Sequence, residues 1–248
     1  MNKLTEKELY DGLKEYMYEL LGENNLEESI KIVAKGLTPE EAIGDTKRKD
    51  YPLLTGKEIM LSAEFDGAKG QAFTSAPCEY SGTIKEILES DIVENDYNRG
   101  LFIAALNALA MHLDKADRTI HCRNDGSEKC ALNIVDYLKE NYEVEKIAMV
   151  GYQPAILANL SEHYKLRILD LNPLNIGQIK SGCRVEDGVK SYKDVIDWAD
   201  LILCTGSTIC NGSIVDYLDI EKEVLFFGTT LAGAAPFLGV KRLCFTEE

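Results

Sequence analysis

KIAMVGYQPAILANLSEHYKLRILDLNP, residues 146–173, decides the fold. KIAMVG (146–151) and LRILDL (166–171) are short and almost wholly apolar, and PAILANLSEHY between them has the composition of a helix. A strand with few polar positions is one covered on both faces, so this unit reads as two parallel strands joined by a helical crossover. The alternation continues downstream. DVIDWAD and SIVDYL read as helices, while LILCTG (201–206), EVLFFGTT (223–230) and KRLCF (241–245) read as strands. The fold class is therefore α/β, with a C-terminal Rossmann-like parallel sheet carrying helices on both faces.

Upstream, a helix over about 127–141 leads into this sheet, and DKADRTIHCRNDGSEK (114–129) shows no apolar pattern. The expected boundary lies there, giving a smaller α+β domain over 1–122 and a ligand-binding domain over 123–248. In the first half, Thr5 and Glu8 have capping-box spacing ahead of a stripe of Leu9, Leu13, Tyr16, Met17, Leu20 and Leu21, and Gly22 is a stop. Residues 36–56, rich in Gly, Pro and charge, read as a long loop. KEIMLSAEF, Asp66-Gly67 and AKGQAFT form a β-hairpin signal, with Ile59, Leu61, Ala63 and Phe65 on the covered face. Residues 83–90 read as a short helix, and residues 97–113 are apolar on nearly every side, which predicts a buried helix. Asn107 inside it needs a hydrogen-bond partner, and that need is structural.

Composition narrows the function. The 248 residues are 45% hydrophobic and 28% charged, as in an ordinary globular protein. A formal charge of −15 argues against nucleic acid, since such a binder needs a basic face, and KRK at 47–49 is the only basic run. No apolar run reaches the ~20 residues of a membrane span. The polar, acidic start lacks the apolar core of a signal peptide, so a cytoplasmic protein is expected. Seven cysteines without a CxxC pair read as reduced thiols. Cys204, Cys210 and Cys244, in or beside apolar strands, are expected to be inert and buried.

In an open parallel sheet the ligand sits beyond the strand carboxyl ends, where the strand order reverses. The first such end is Gly151-Tyr152-Gln153-Pro154, in which Gly151 allows a tight turn and Pro154 suits a first helical turn. It is not a GxGxxG fingerprint, and a plain strand-to-helix turn is the competing reading. The second end offers Asp170 and Asn172. An acid nineteen residues beyond Gly151 stands where dinucleotide folds bind ribose, although Asp-x-Asn-Pro is also a turn maker. The third end, Thr205-Gly206-Ser207-Thr208 with Asn211, crowds hydroxyls at a helix start and suits an anionic or strongly polar group. Ser207 or Thr208 is the expected cap, which leaves Thr205 and Asn211 for a ligand. Gly228, Thr229 and Thr230 at the next end repeat the theme. Arg99 and Arg123 are the candidate anion partners in a cleft between domains.

VGYQP, DLNP, TGSTICNGSIVDYL and FFGTTLAGAAPFLGV together resemble the heavy-metal chelation family. That resemblance implies a Rossmann-like C-terminal domain joined to a first domain similar to the enolase N-terminal domain, which the hairpin and the helices to His112 would form. It also implies a link to metal or tetrapyrrole-type cofactor metabolism. At Gly228-Thr229-Thr230 the chain departs from the Gly-Pro-Ser/Thr usual in that family.

Other chemistry is weaker. His121, Cys122, Asp125 and Cys130, with His112 not far off, are soft-metal ligand types, but their spacing matches no zinc pattern and a polar linker is the expected reading. Glu64 and Glu79 would be general bases in an enolase-like layout, and solvated strand charges otherwise. With three histidines no Ser-His-Asp or Cys-His set can be assembled. The leading expectation is a binding protein or enzyme acting on a small molecule or metal chelate between the halves; the residues identify no cofactor. An S-adenosylmethionine- or NAD(P)-dependent transferase or oxidoreductase, and a ligand-free homodimeric interaction module, are the alternatives.

Overall fold

The computed structural model describes residues 4–22, 31–55 and 59–246. Helix α1 (Glu6–Leu21) opens on the expected capping box, Thr5 with Glu8, and buries Leu9, Tyr10, Leu13, Met17 and Leu21. An antiparallel sheet follows, built from β1 (Lys31–Gly36), β2 (Ile59–Phe65), β3 (Ala68–Thr74) and β4 (Tyr80–Thr83) in the order β3-β2-β1-β4. Asp66 and Gly67 turn the β2–β3 hairpin with φ of 46° and 80°, the backbone that a two-residue turn of the right twist requires. Helix α2 (Pro39–Ile43) lies between β1 and β2, and α3 (Ile84–Glu89) follows β4. Helix α4 (Asp96–His112) runs against β2 and β3 with every residue from Arg99 to Ala110 buried.

Helix α5 (Gly126–Asn141) leads into the second sheet. Its strands are β5 (Lys146–Val150), β6 (Lys165–Asp170), β7 (Ile179–Lys180), β8 (Cys183–Asp187), β9 (Leu201–Thr205), β10 (Glu223–Phe227) and β11 (Lys241–Leu243). They lie in the order β11-β10-β9-β5-β6-β8-β7, parallel except for β7 against β8. Helices α6 (Pro154–Ser161), α7 (Tyr192–Trp198), α8 (Val215–Leu218) and α9 (Ala235–Leu238) complete the chain. The mixed α/β architecture read from residues 146–173 is the architecture observed. The order also fixes a switch point. The chain builds β5, β6 and β8 toward one edge, then returns to lay β9, β10 and β11 on the other side of β5. The reversal falls between β5 and β9.

Strand β5 shows why the sheet is apolar on both faces. Ile147 and Met149 join one core with α5 and α6, while Ala148 and Val150 join another with α1, α4 and the antiparallel sheet. Each core draws on both halves of the chain. Tyr10 Oη donates to the Ile209 carbonyl at 2.7 Å, and Tyr16 stacks on Phe237. Three local readings are corrected. Residues 36–56 hold α2 with its own capping box, Thr38 with Glu41, and a 3-10 turn at Pro52–Thr55. The strand β1 and the β7–β8 pair carry too many charged positions to stand out by pattern. Met60, on the face of β2 expected to be exposed, is 1% exposed because the second core covers it.

Candidate ligand cavity at the switch point

A cavity of about 800 Å³ opens at the carboxyl ends of the parallel strands, within the size range of small-molecule sites. Its base is the switch point. A side chain carbon on Gly151 would lie 2.6 Å from Thr205 Cγ2, so the ends of β5 and β9 touch there, and Gly151 holds φ at +84°. Gly228 at the end of β10 and Asp170 at the end of β6 stand on the same rim, as the strand order requires. The opposite wall comes from the N-terminal half: Ile43, Tyr51, Leu53, Met60 and Phe73.

Of the residues expected at the site, Gly151, Tyr152, Pro154, Asp170, Asn172, Thr205, Ser207, Thr208, Asn211, Gly228, Thr229 and Thr230 line this cavity. Gly206 packs beneath the loop against Leu231. Arg99 and Arg123 are not among the lining residues. The Arg99 guanidinium is 4% exposed and donates to the carbonyls of Ile92, Val93 and Cys210, while lying over the Tyr10 ring. Arg123 donates to the Glu40 carbonyl on the surface. Glu64 and Glu79 are exposed and lie outside the cavity.

Most of the hydroxyls and carboxylates that line the cavity serve the fold. Thr205, not Ser207 or Thr208, caps the 3-10 turn Gly206–Ile209, accepting from the Ser207 backbone N–H, and Thr208 Oγ1 donates back to the Thr205 carbonyl at 2.8 Å. Thr229 Oγ1 donates to the Arg118 carbonyl, and Thr230 Oγ1 accepts the Phe73 N–H at 3.0 Å. Asp170 accepts from the backbone N–H of Tyr152 and Asn172 and from Asn175 Nδ2, a tie between two strand ends. Tyr152 Oη donates to Asp50 and Tyr51 Oη to Glu128, joining the mouth to the segment after α2. Burial, reinforced by those carboxylates, pushes both phenols above their ordinary range.

What remains uncommitted is specific. Asn211 Oδ1 accepts from Ser213, Asn172 Oδ1 from the Leu174 N–H, and Gln153 Oε1 from the Ile156 N–H at the start of α6. These bonds fix which end of each carboxamide is the oxygen. The three NH₂ groups then have no partner among the described residues, and each stands on a residue of the wall. No lysine or arginine occurs among the described lining residues, whereas Asp170 and Asp216 do.

One end of the cavity carries His121, Cys122, Cys130 and Cys244. Cys244 was expected to be an inert buried thiol; the chain leaves β11 beside the void, so it is only half-buried there, while Cys204 and Cys210 are buried as expected. His121 is half-buried on the wall, and desolvation of its ring lowers its basicity despite the nearby backbone of Cys122 and Ala42, favouring the neutral form. Its Nδ1 makes no hydrogen bond among the described residues. Among those residues no group of three or more His, Cys, Asp or Glu is arranged to hold a metal ion.

The sequence model of a family described as "Putative heavy-metal chelation" matches residues 133–239. No curated protein matches the chain. Two solved structures share its fold, and both are titled as proteins with unknown function from the DUF364 family. One, from Pyrococcus horikoshii, is 17% identical with a TM-score of 0.54, over 90% of this chain and 79% of that one. The other, from Desulfitobacterium hafniense DCB-2, is 11% identical with a TM-score of 0.50, over 93% and 84%.

Proposed function

Starting from a chain whose residues 133–239 match the heavy-metal chelation family, we propose that the protein binds one small, largely apolar ligand at the β5/β9 switch point, a metal chelate or a heterocycle of the chelating kind. The observation that carries this is the cavity wall itself. Aromatic and aliphatic surface from both halves is punctuated by the three free carboxamide NH₂ groups of Gln153, Asn172 and Asn211, without a cationic side chain among the described lining residues. Such a wall favours a body with hydrogen-bond acceptor atoms and no net negative charge, because an unpaired anion beside Asp170 and Asp216 would lose its hydration without compensation. Any metal would arrive held by the ligand's own atoms, since the described side chains offer no cage for a bare ion. The occupied Asp170 disfavours a dinucleotide, whose ribose needs a free carboxylate at that strand end.

Native mass spectrometry of the protein as purified from cells, before and after denaturation, tests this reading. The expected result is a released non-anionic chelate or heterocycle, retained at least ~10-fold less well by a Gln153→Glu, Asn172→Asp double variant, a loss of about 1.4 kcal/mol. Both substitutions keep the oxygen that each local turn uses and replace the NH₂. Release of a nucleotide, or equal retention by the double variant, overturns the proposal.

A further inference from the structure

We propose that residues 47–54 form a lid over the cavity, latched to the C-terminal half at Glu128 and Tyr152, which lifts to admit and release the ligand. The lid's purpose rests on the ligand reading above; its opening does not. The segment is KRKDYPLL, the basic run at 47–49 followed by an apolar tail. The tail turns inward, with Tyr51, Pro52 and Leu53 on the cavity wall. Lys47, Lys49 and Asp50 are exposed on the outside. One short stretch of chain therefore presents one face to the ligand and the other to water, as closing loops do.

The segment is pinned at its start and fastened lightly beyond it. Asn124 holds both sides of Gly44: its backbone N–H donates to the Ile43 carbonyl at 2.7 Å, and its Oδ1 accepts the Asp45 N–H at 3.0 Å. Thr46 is buried. From Lys47 to Leu54, among the described residues, the hydrogen bonds to the C-terminal half join side chains only. Arg48 Nε donates to Glu128 Oε1 at 2.8 Å, Tyr51 Oη donates to the same oxygen at 3.0 Å, and Tyr152 Oη donates to Asp50 Oδ2 at 3.1 Å. Arg48 also pairs with Asp50 at 3.3 Å, which joins the two latches into one network. Glu128 belongs to the first turn of α5, and Tyr152 follows Gly151 at the end of β5.

The sheets on either side of the cavity cannot move without breaking backbone ladders. The lid can. Its latch partners are partly exposed, so water replaces their bonds with little net loss when the segment lifts. What holds it shut is then chiefly the burial of Tyr51 and Leu53, which share one core with Met60 and Ile134. A largely apolar ligand adds contacts to that same inner face. It therefore binds the closed form better than the open one and shifts the balance toward closure.

Native cysteines read the opening without any ligand. Cys122 and Cys130 stand on the cavity wall, Cys78 and Cys183 are also half-buried but lie off it, and Cys204 and Cys210 are buried in the core. The reduced protein is treated with N-ethylmaleimide, a neutral reagent, and each cysteine's labelling rate is read by mass spectrometry after digestion. Asp50→Ala with Glu128→Ala removes the acceptors of both latches. It is expected to speed Cys122 and Cys130 ~10-fold, with the other four unchanged. Hydrogen exchange of the wild-type protein is the second measurement. The Leu54 amide, bonded to the Tyr51 carbonyl at 3.0 Å, is expected to exchange by local opening well ahead of the amides of β5. A double variant that labels all six alike has unfolded, and the wild-type exchange then decides alone. Unchanged labelling of Cys122 and Cys130 in a folded double variant, or a Leu54 amide as slow as those of β5, overturns the proposal. Either result leaves the mass of the released ligand as it was, so the lid can fail while the ligand reading stands.

Discussion

Asn107 and Gly233 are joined inside the protein: the Gly233 backbone N–H donates to Asn107 Oδ1 at 2.6 Å. The same side chain turns its Nδ2 to the Gln71 carbonyl at 2.8 Å and the Thr230 carbonyl at 3.0 Å. One fully buried carboxamide on α4 therefore ties the antiparallel sheet to the segment after β10. That segment carries Gly228, Thr229 and Thr230, so the rim of the cavity is held from the other half of the chain.

Replacing Asn107 by Leu strands a buried N–H and two buried carbonyls, each of which costs on the order of 1–3 kcal/mol when unsatisfied. Asn107→Leu is expected to lower unfolding stability by at least about 3 kcal/mol, with an unchanged slope in urea. A midpoint that moves by no more than a surface substitution would show that the three contacts do not hold the halves together.

Gly151 carries both constraints that a glycine can meet, positive φ and a close neighbour. Gly151→Ala is expected to cost about 1–2 kcal/mol from the left-handed backbone alone, and more as the new methyl meets Thr205 Cγ2. Because it wedges the two strand ends that form the cavity base, ligand retention by native mass spectrometry is expected to fall along with the melting temperature. Full retention would place the ligand away from the switch point.

Arg99 is expected to matter for stability and not for the ligand. Its guanidinium fastens the Ile92–Val93 segment and the Cys210 carbonyl to the first turn of α4, and pairs with Asp96 at 3.1 Å. Hydrogen bonds from a charged donor contribute ~1.5–3 kcal/mol each, so Arg99→Met is expected to lose at least about 3 kcal/mol. Ligand retention, measured well below the variant's melting temperature, is expected to match wild type. A selective loss of binding would restore the anion-partner role.

How much of this was legible in the sequence follows from which interactions are local. The parallel strands announce themselves because burial on both faces leaves almost no polar residue in LILCT or KIAMV. The rim followed from topology, since Gly151, Asp170, Thr205 and Gly228 each end such a strand. Strand β8, CRVED, buries only Val185 and gives no periodic signal. Strand β1 leaves Val33 49% exposed, which blurs its alternation. The far wall of the cavity, Tyr51, Met60 and Phe73, is a long-range product of packing. Hydroxyl-rich Thr205–Thr208 was misleading for a local reason: Ser and Thr satisfy their own turn before they serve a ligand.

That last point separates two substitutions in the same loop. Thr205→Val removes the acceptor for the Ser207 N–H and is expected to cost ~1 kcal/mol as a lost cap, with Thr205→Ser restoring it. Asn211→Asp is different. It keeps an oxygen for Ser213, whose N–H and hydroxyl both donate to Oδ1, so the turn and the melting temperature are expected to stay as they are. It replaces the one uncommitted donor with an acceptor, so an acceptor atom of the ligand now meets a carboxylate. Retention is expected to fall at least ~10-fold, about 1.4 kcal/mol. Isothermal titration of the released ligand into both variants reads the two effects separately. Equal affinity in Asn211→Asp and wild type would mean that the Asn211 NH₂ points to solvent, and the donor set would reduce to Gln153 and Asn172.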